Sequence, residues 1–274
     1  MKNSSEWIKK IVQFCDEYNI PYKYLPDTLN EPKVVPMIRG KAFEFTAMLA
    51  LRKVLNKKDW RVDKTKINAQ LGIHDIDVNV IHRKTKKKLS VECKLAKKES
   101  FKQSANGCTE IRVKCMRSRT LGPSKVKELA PKLNVPAKVL AVHNDQYTEK
   151  DFDIVVTSIG NAFYRTDPKT GLFRWDPDDI EIKFLKNLFD TPNASKDALK
   201  KMSFERLYLA YSKDISINKR NSLECTRREC KNKEICGFIP NYPIIRFSKD
   251  YKPINKWYPL SAAGNFFSTI LLGK

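Results

Sequence analysis

The stretch from Gly72 to Lys98, GIHDIDVNVIHRKTKKKLSVECKLAKK, limits what this chain can fold into more than any other. Asp77 and Asn79 alternate with the apolar Val78, Val80 and Ile81, and Ser90, Glu92 and Lys94 alternate with Leu89, Val91 and Cys93. A period of two is that of a strand, whose successive side chains face opposite ways. Between the runs, Arg83 to Lys88 holds no apolar residue and reads as a tight connection. A hairpin centred on Lys84 and Thr85 sets Asp77 opposite Glu92, on one face with Cβ atoms roughly 5 Å apart. Lys94, two residues beyond Glu92, shares that face, while Val78, Val91 and Cys93 point to the core.

Two carboxylates this close repel each other unless a cation lies between them. Oxygen ligands from one or two carboxylates, with water and phosphate, suit Mg²⁺. A lysine beside such an ion can orient water and offset charge developing on a phosphate. These parts suit hydrolysis of a phosphodiester. The same residues also fit an ordinary hairpin face with a cross-strand charge pair.

Asp77 followed by Glu92-Cys93-Lys94, in the context IDVNV…LSVECK, resembles the signature of the PD-(D/E)XK nuclease superfamily. Arg39 to Leu51 (RGKAFEFTAMLAL) resembles the helix that often precedes that core and brings a further glutamate, here Glu44. Ile76, not proline, precedes Asp77. The resemblance implies an α/β fold, a restriction-endonuclease-like mixed β-sheet flanked by helices, with a C-terminal cysteine-containing extension. It implies Asp77, Glu92 and the Cys93 carbonyl as Mg²⁺ ligands and Lys94 as the cation that orients water. Glu44 and Asp75 are secondary candidates; a solvated helix charge is the other reading of Glu44. His74, beside Asp75, is given a supporting role at most, and His82 and His143 read as scattered. The implied activity is that of a type II restriction endonuclease: site-specific cleavage of double-stranded DNA by a homodimer, with a cognate DNA methyltransferase as genetic partner. A repair or recombination nuclease and a non-catalytic nucleic-acid-binding module are the other classes the residues allow.

Charge agrees with a polyanionic partner. Lys and Arg number 53 against 31 Asp and Glu, for a net charge of +22 spread along the 274 residues. The candidates for DNA contact follow the hairpin: Lys97, Lys98, Lys102, Arg112, Lys114, Arg117 and Arg119. Ile111, Val113 and Cys115 alternate with Arg112, Lys114 and Met116, which predicts a strand with one cationic edge after a turn at Ser104–Gly107. There is no basic amphipathic helix for a membrane surface, no long apolar span and no signal-like N-terminus, so a cytoplasmic protein is expected. No GxxxxGK[ST] nucleotide-binding motif occurs.

The seven cysteines read as reduced thiols. Cys225, Cys230 and Cys236 lie close enough to share a structural zinc or an iron–sulfur cluster. A fourth ligand is needed, and Cys15, Cys108 or Cys115 can supply it across space. Three late cysteines with one early one are superficially similar to iron–sulfur nucleases of the same superfamily, although the spacing here is wider.

The organisation expected is an N-terminal helix and linker over 1–35, a nuclease core over 36–190 and a C-terminal subdomain over 191–274 packed on the core. Helices are predicted from Ser4 or Ser5 to Tyr18, over Gly40–Leu55, over Val126–Leu133 and from Ser195 through Tyr211. Tyr22–Pro36 reads as a loop. Strands are predicted over Trp60–Ile67, at Val139–Val142, at Phe152–Ile159 and in the aromatic C-terminal stretch. The segment Gly160–Trp175 reads as either a hairpin or a base-contacting loop.

Overall fold

The computed structural model describes residues 4–64 and 76–272. His74, Asp75 and the end of the strand predicted to reach Ile67 lie outside the described residues. The N-terminal part is helical: α1 (Ser4–Glu17), α2 (Leu25–Asn30) and α3 (Val34–Val54). The expected loop at Tyr22–Pro36 is therefore mostly helix. Its prolines start helices instead of breaking them, since Pro26 and Pro36 sit in first turns where a missing N–H costs nothing. The apolar side of α1 is not packed inward as a whole: Cys15 is buried, but Trp7, Ile8, Ile11 and Val12 are exposed. On α3, Phe43, Ala47, Met48 and Leu51 are buried at helical spacing.

The strands β1 (Trp60–Asp63), β2 (Val78–His82) and β3 (Lys88–Cys93) form an antiparallel meander. Val78 pairs with Val91, Asn79 with Ser90, Val80 with Leu89 and Ile81 with Lys88. That is the register expected from the sequence, and continuing it by one residue sets Asp77 beside Glu92. The turn closes by hydrogen bonds from His82 N to Lys87 O and from Lys86 N to His82 O. His82 serves this turn, with Nδ1 2.9 Å from Thr85 Oγ1.

Two short strands, β4 (Lys102–Gln103) and β5 (Thr109–Arg112), follow, then α4 (Pro123–Leu133) and α5 (Ala137–Val142). The strand expected at Val139–Val142 is thus a helix. Pro136 caps its start, and Leu140 fills a small core with Val126, Ala130, Leu133 and Phe238. Next comes β6 (Ile154–Ser158), buried throughout as its continuous apolar run predicts. A hairpin of β7 (Tyr164–Thr166) and β8 (Phe173–Trp175) resolves the ambiguous segment. Before it, Gly160 packs so closely against the Phe204 ring that a Cβ there would meet it at 2.7 Å.

After α6 (Asp179–Phe189), with its Asp178–Glu181 capping box, α7 (Lys196–Glu205) ends earlier than expected. Leu207–Tyr211, predicted as the end of that helix, is β9, and its first four residues are buried. LYLAY is apolar at every position, which suits a strand covered on both faces and not a one-sided helix. The chain ends with α8 (Ser212–Ile215), β10 (Ile244–Phe247), β11 (Tyr258–Pro259) and α9 (Ala263–Leu272). Part of the expected C-terminal strand region is therefore a helix, with Ala263 and Phe267 buried one turn apart.

The central sheet has the order β1-β2-β3-β6-β9-β11, with β3 and β6 parallel and every other pair antiparallel. This is a mixed α/β sheet covered on both faces. On one face α3 and α9 pack on Val78, Val80, Leu89, Val91, Ile154 and Leu209. On the other, Val155, Tyr208 and Ala210 meet α6, α7 and a second sheet, β10-β5-β4. The elements after residue 190 share both sheets with those before it: β9 and β11 complete the central sheet and β10 pairs with β5.

Candidate active site and a thiol–imidazole cluster

Asp77, Glu92 and Lys94 meet where β2 leaves the ladder. The carboxylate Oδ2 of Asp77 accepts a hydrogen bond of 2.8 Å from the Cys93 N–H. Glu92 Oε1 lies 2.6 Å from Lys94 Nζ and accepts a 2.9 Å hydrogen bond from the Tyr147 hydroxyl. Lys94 Nζ also donates to the Tyr147 oxygen at 3.3 Å. Glu44, from α3, is ion-paired with Lys41 at 2.9 Å and with Lys64. Asp77, Glu92 and Glu44 are only 7%, 4% and 6% exposed; Tyr147 and Lys94 lie against Glu92, and Lys41 and Lys64 against Glu44.

Electrostatics couple these groups. Burial, then the charges of Glu92 and Glu44, push the Asp77 carboxyl up to about 8, against the opposing pull of Lys94 and the Cys93 N–H. Burial alone would lower the Lys94 ammonium, but Glu92, Tyr147 and Asp77 outweigh it and hold it well above the usual lysine value. The Tyr147 phenol is raised by burial and then by Glu92. Lys94 is thus a fixed cation, and Asp77 is a carboxylate under strain from like charges. Carboxylate oxygens are the donor type that Mg²⁺ takes, and here Glu92 and Glu44 are already paired with Lys94, Lys41 and Lys64.

Sequence reasoning missed Tyr147, Gln146 and Asp151. Their segment, NDQYTEKD, carries no periodicity and lies some fifty residues after Lys94. The only pointer was Arg117, whose guanidinium needed an acid. It is 2.7 Å from Asp151, donates to Gln146 O at 3.0 Å and lies over the Tyr147 ring at 4.8 Å. Arg117 therefore braces the site from within.

The other predicted DNA-contacting residues lie further out. Ile111, Val113 and Cys115 are buried, while Lys102, Lys114 and Arg119 are exposed and Lys97, Lys98 and Arg112 are half-buried. Lys98 reaches Thr166 Oγ1 at 2.7 Å and lies over Phe173, and Lys97 lies over the Tyr242 ring. Arg112 borders a cavity of about 950 Å³ shared with Arg220, Arg227, Arg246 and Lys256.

Cys225, Cys230 and Cys236 come together, and the fourth member of their cluster is His143. One ligand atom from each lies within 4.8 Å of every other, so the set can hold a metal ion. The expected fourth ligand from Cys15, Cys108 or Cys115 is thereby replaced by a histidine at the end of α5 that the sequence left unassigned. Among the described residues no helix is long and apolar enough to cross a membrane. No family model, curated protein or solved structure matches this chain.

Proposed function

We propose that this chain hydrolyses phosphodiester bonds of double-stranded DNA with Mg²⁺, at a specific site, in the manner of a type II restriction endonuclease. The observation that carries the reading is the convergence of Glu92, Glu44 and Lys94 around Asp77, whose carboxyl feels the charge of all three. Asp77, Glu92 and the Cys93 carbonyl would hold the ion, which supplies Lewis-acid activation of water and charge neutralisation on the phosphate when bound. The protein's own groups do the rest. Glu92 and Tyr147 fix the Lys94 ammonium, which orients the attacking water and offsets charge on the phosphoryl oxygens. The Cys93 N–H fixes the Asp77 carboxylate. Lys97, Lys98, Lys102, Arg112, Lys114 and Arg119 contact phosphates, while Arg117 positions Tyr147. The reading implies a cytoplasmic homodimer on two-fold symmetric sites, with a DNA methyltransferase protecting the host.

One observation favours a second reading. Glu44 and Glu92 already have lysine partners, so the cluster also fits a charge network inside a non-catalytic DNA-binding module. Digestion of unmethylated phage DNA with and without Mg²⁺, followed by end sequencing, separates the readings. Discrete Mg²⁺-dependent fragments with constant ends support the restriction enzyme. A ladder or free nucleotides indicate a repair-type nuclease. Intact DNA that is nevertheless bound indicates the module.

A further inference from the structure

Residues 216–243 run between α8 and β10 without a helix or named strand among them. An irregular segment this long inside a compact fold needs something to fix it. Phe238 and Ile239 anchor its far end in the neighbouring cores. The rest has only a small cluster of its own: Ile217, Cys225 and Cys230 are buried, with Leu223 and Cys236 against them, so thiols make up most of it.

The imidazole of His143 is set up toward them. Its ring stacks on Phe238 with centroids 4.1 Å apart. Nδ1 is 2.6 Å from Gln146 Oε1. The orientation of that amide is fixed because Gln146 Nε2 donates to Ile239 O at 3.0 Å, and Oε1 also receives Arg227 Nε. An amide oxygen only accepts, so Nδ1 carries the proton and Nε2 holds a lone pair. His143 Nε2 is buried and has no hydrogen-bond partner. A buried acceptor without a partner is costly. An ion beside it removes that cost, and the carbonyl-type partner on Nδ1 is what metal-bound histidines commonly have. The sulfurs are prepared in the same sense: the Arg227 N–H donates to Cys225 Sγ at 3.4 Å. A tetrahedral ion with Zn–S of about 2.3 Å sets its sulfurs about 3.8 Å apart, compatible with ligand atoms all within 4.8 Å. A [4Fe–4S] cluster, in which each ligand binds a different iron, would need a wider cage.

We propose that His143, Cys225, Cys230 and Cys236 bind a single structural zinc ion, its four positions all filled by the protein, that clamps residues 217–239 onto the segment carrying Tyr147. The clamp is continuous. Ile239 N donates to Tyr147 O at 2.8 Å, Thr148 bridges Phe238, and Arg227 pairs with Asp145. Zinc at one end of this segment therefore fixes the phenol that holds Glu92 and Lys94 at the other. The inference does not depend on catalysis.

The test uses the full chain purified without chelator. Elemental analysis is expected to find about one zinc per chain, and Co²⁺ exchanged into the site should give the intense visible bands of a tetrahedral thiolate complex. His143→Ala and Cys230→Ser should each lose the metal, whereas Cys108→Ser should keep it. If those variants do not fold, hydrogen exchange on the wild type serves in their place. Stripping zinc should speed exchange at 143–148 and 217–239 together, leaving β2 and β3 protected. Less than about a tenth of an equivalent of zinc with no Co²⁺ uptake overturns the site. So does iron in place of zinc, or a disulfide among the three cysteines. Zinc whose removal leaves 143–148 fully protected overturns the clamp.

Discussion

The Asp77 carboxylate is held by the backbone N–H of Cys93 at 2.8 Å, one residue from the Glu92 charge that repels it. The hydrogen bond fixes the position of Asp77 while its surroundings oppose its ionisation. Its carboxyl is raised to about 8, by burial first and then by Glu92 and Glu44. A folded-state value above the unfolded one of about 4 contributes stability that is complete below about pH 4. That contribution is lost as pH rises through about 8.

Asp77→Asn keeps the acceptor for Cys93 N–H and removes the repulsion. In chelator, its melting temperature should exceed that of the wild type, by more at about pH 8.5 than at about pH 5.5. Mg²⁺ should stabilise the wild type and not the variant. Cleavage by the variant should fall by several orders of magnitude while low-salt DNA binding persists. Equal melting differences at both pH values would mean that Asp77 is not under like-charge repulsion, and wild-type cleavage would remove it from catalysis.

Lys94→Ala leaves the buried Glu92 without its cation, so unfolding should become easier by about 3 kcal/mol. Cleavage should be abolished, but Mg²⁺ should bind at least as tightly, since the ion inherits the uncompensated carboxylates. Denaturant melts and metal titration calorimetry check both statements. A stable Lys94→Ala variant that cuts DNA normally would reduce the pair to a structural one.

Tyr147→Phe keeps the ring beneath Arg117 but loses the hydroxyl that bonds Glu92 and Lys94. A hydrogen bond to a charged group contributes about 1.5–3 kcal/mol. If it acts on the transition state, cleavage should slow about 10- to 100-fold. The expected signature is a lower kcat with unchanged DNA affinity. An unchanged kcat would make Tyr147 a packing residue.

Arg117 and its neighbours should separate in a salt titration. Lys114→Ala or Arg119→Ala should lower the slope of log affinity against log salt by roughly one unit. Arg117→Ala should leave that slope alone and cost about 3 kcal/mol of stability, because it removes the cation paired with buried Asp151. The opposite pattern would move Arg117 to the DNA interface and take Lys114 and Arg119 off it.

The β2–β3 hairpin was legible because its register follows from local alternation and a polar turn, and neither depends on distant chain. What it faces was not legible. The closeness of Tyr147 to Glu92, and of His143 to three late cysteines, arises from pairings between remote segments that leave no period in the sequence. Two of the misread elements are short apolar runs, where periodicity cannot separate helix from strand. VLAV is a helix because Pro136 starts it and it has one small core to cover. LYLAY is a strand because both of its faces are covered.

The parallel contact of β3 with β6 also sets an order of events during synthesis. Asp77, Glu92 and Lys94 leave the ribosome early, but β6 is completed only at Ser158, and its other neighbour β9 at Tyr211. Parallel pairing across so much intervening chain forms late, after the local meander. The helix α9, which packs Phe267 against Trp60 of β1, arrives later still. A nascent chain thus carries the acidic residues and lysine long before it can hold them in place, so an enzyme that cuts DNA would acquire that ability only once β6, β9 and α9 have all been made.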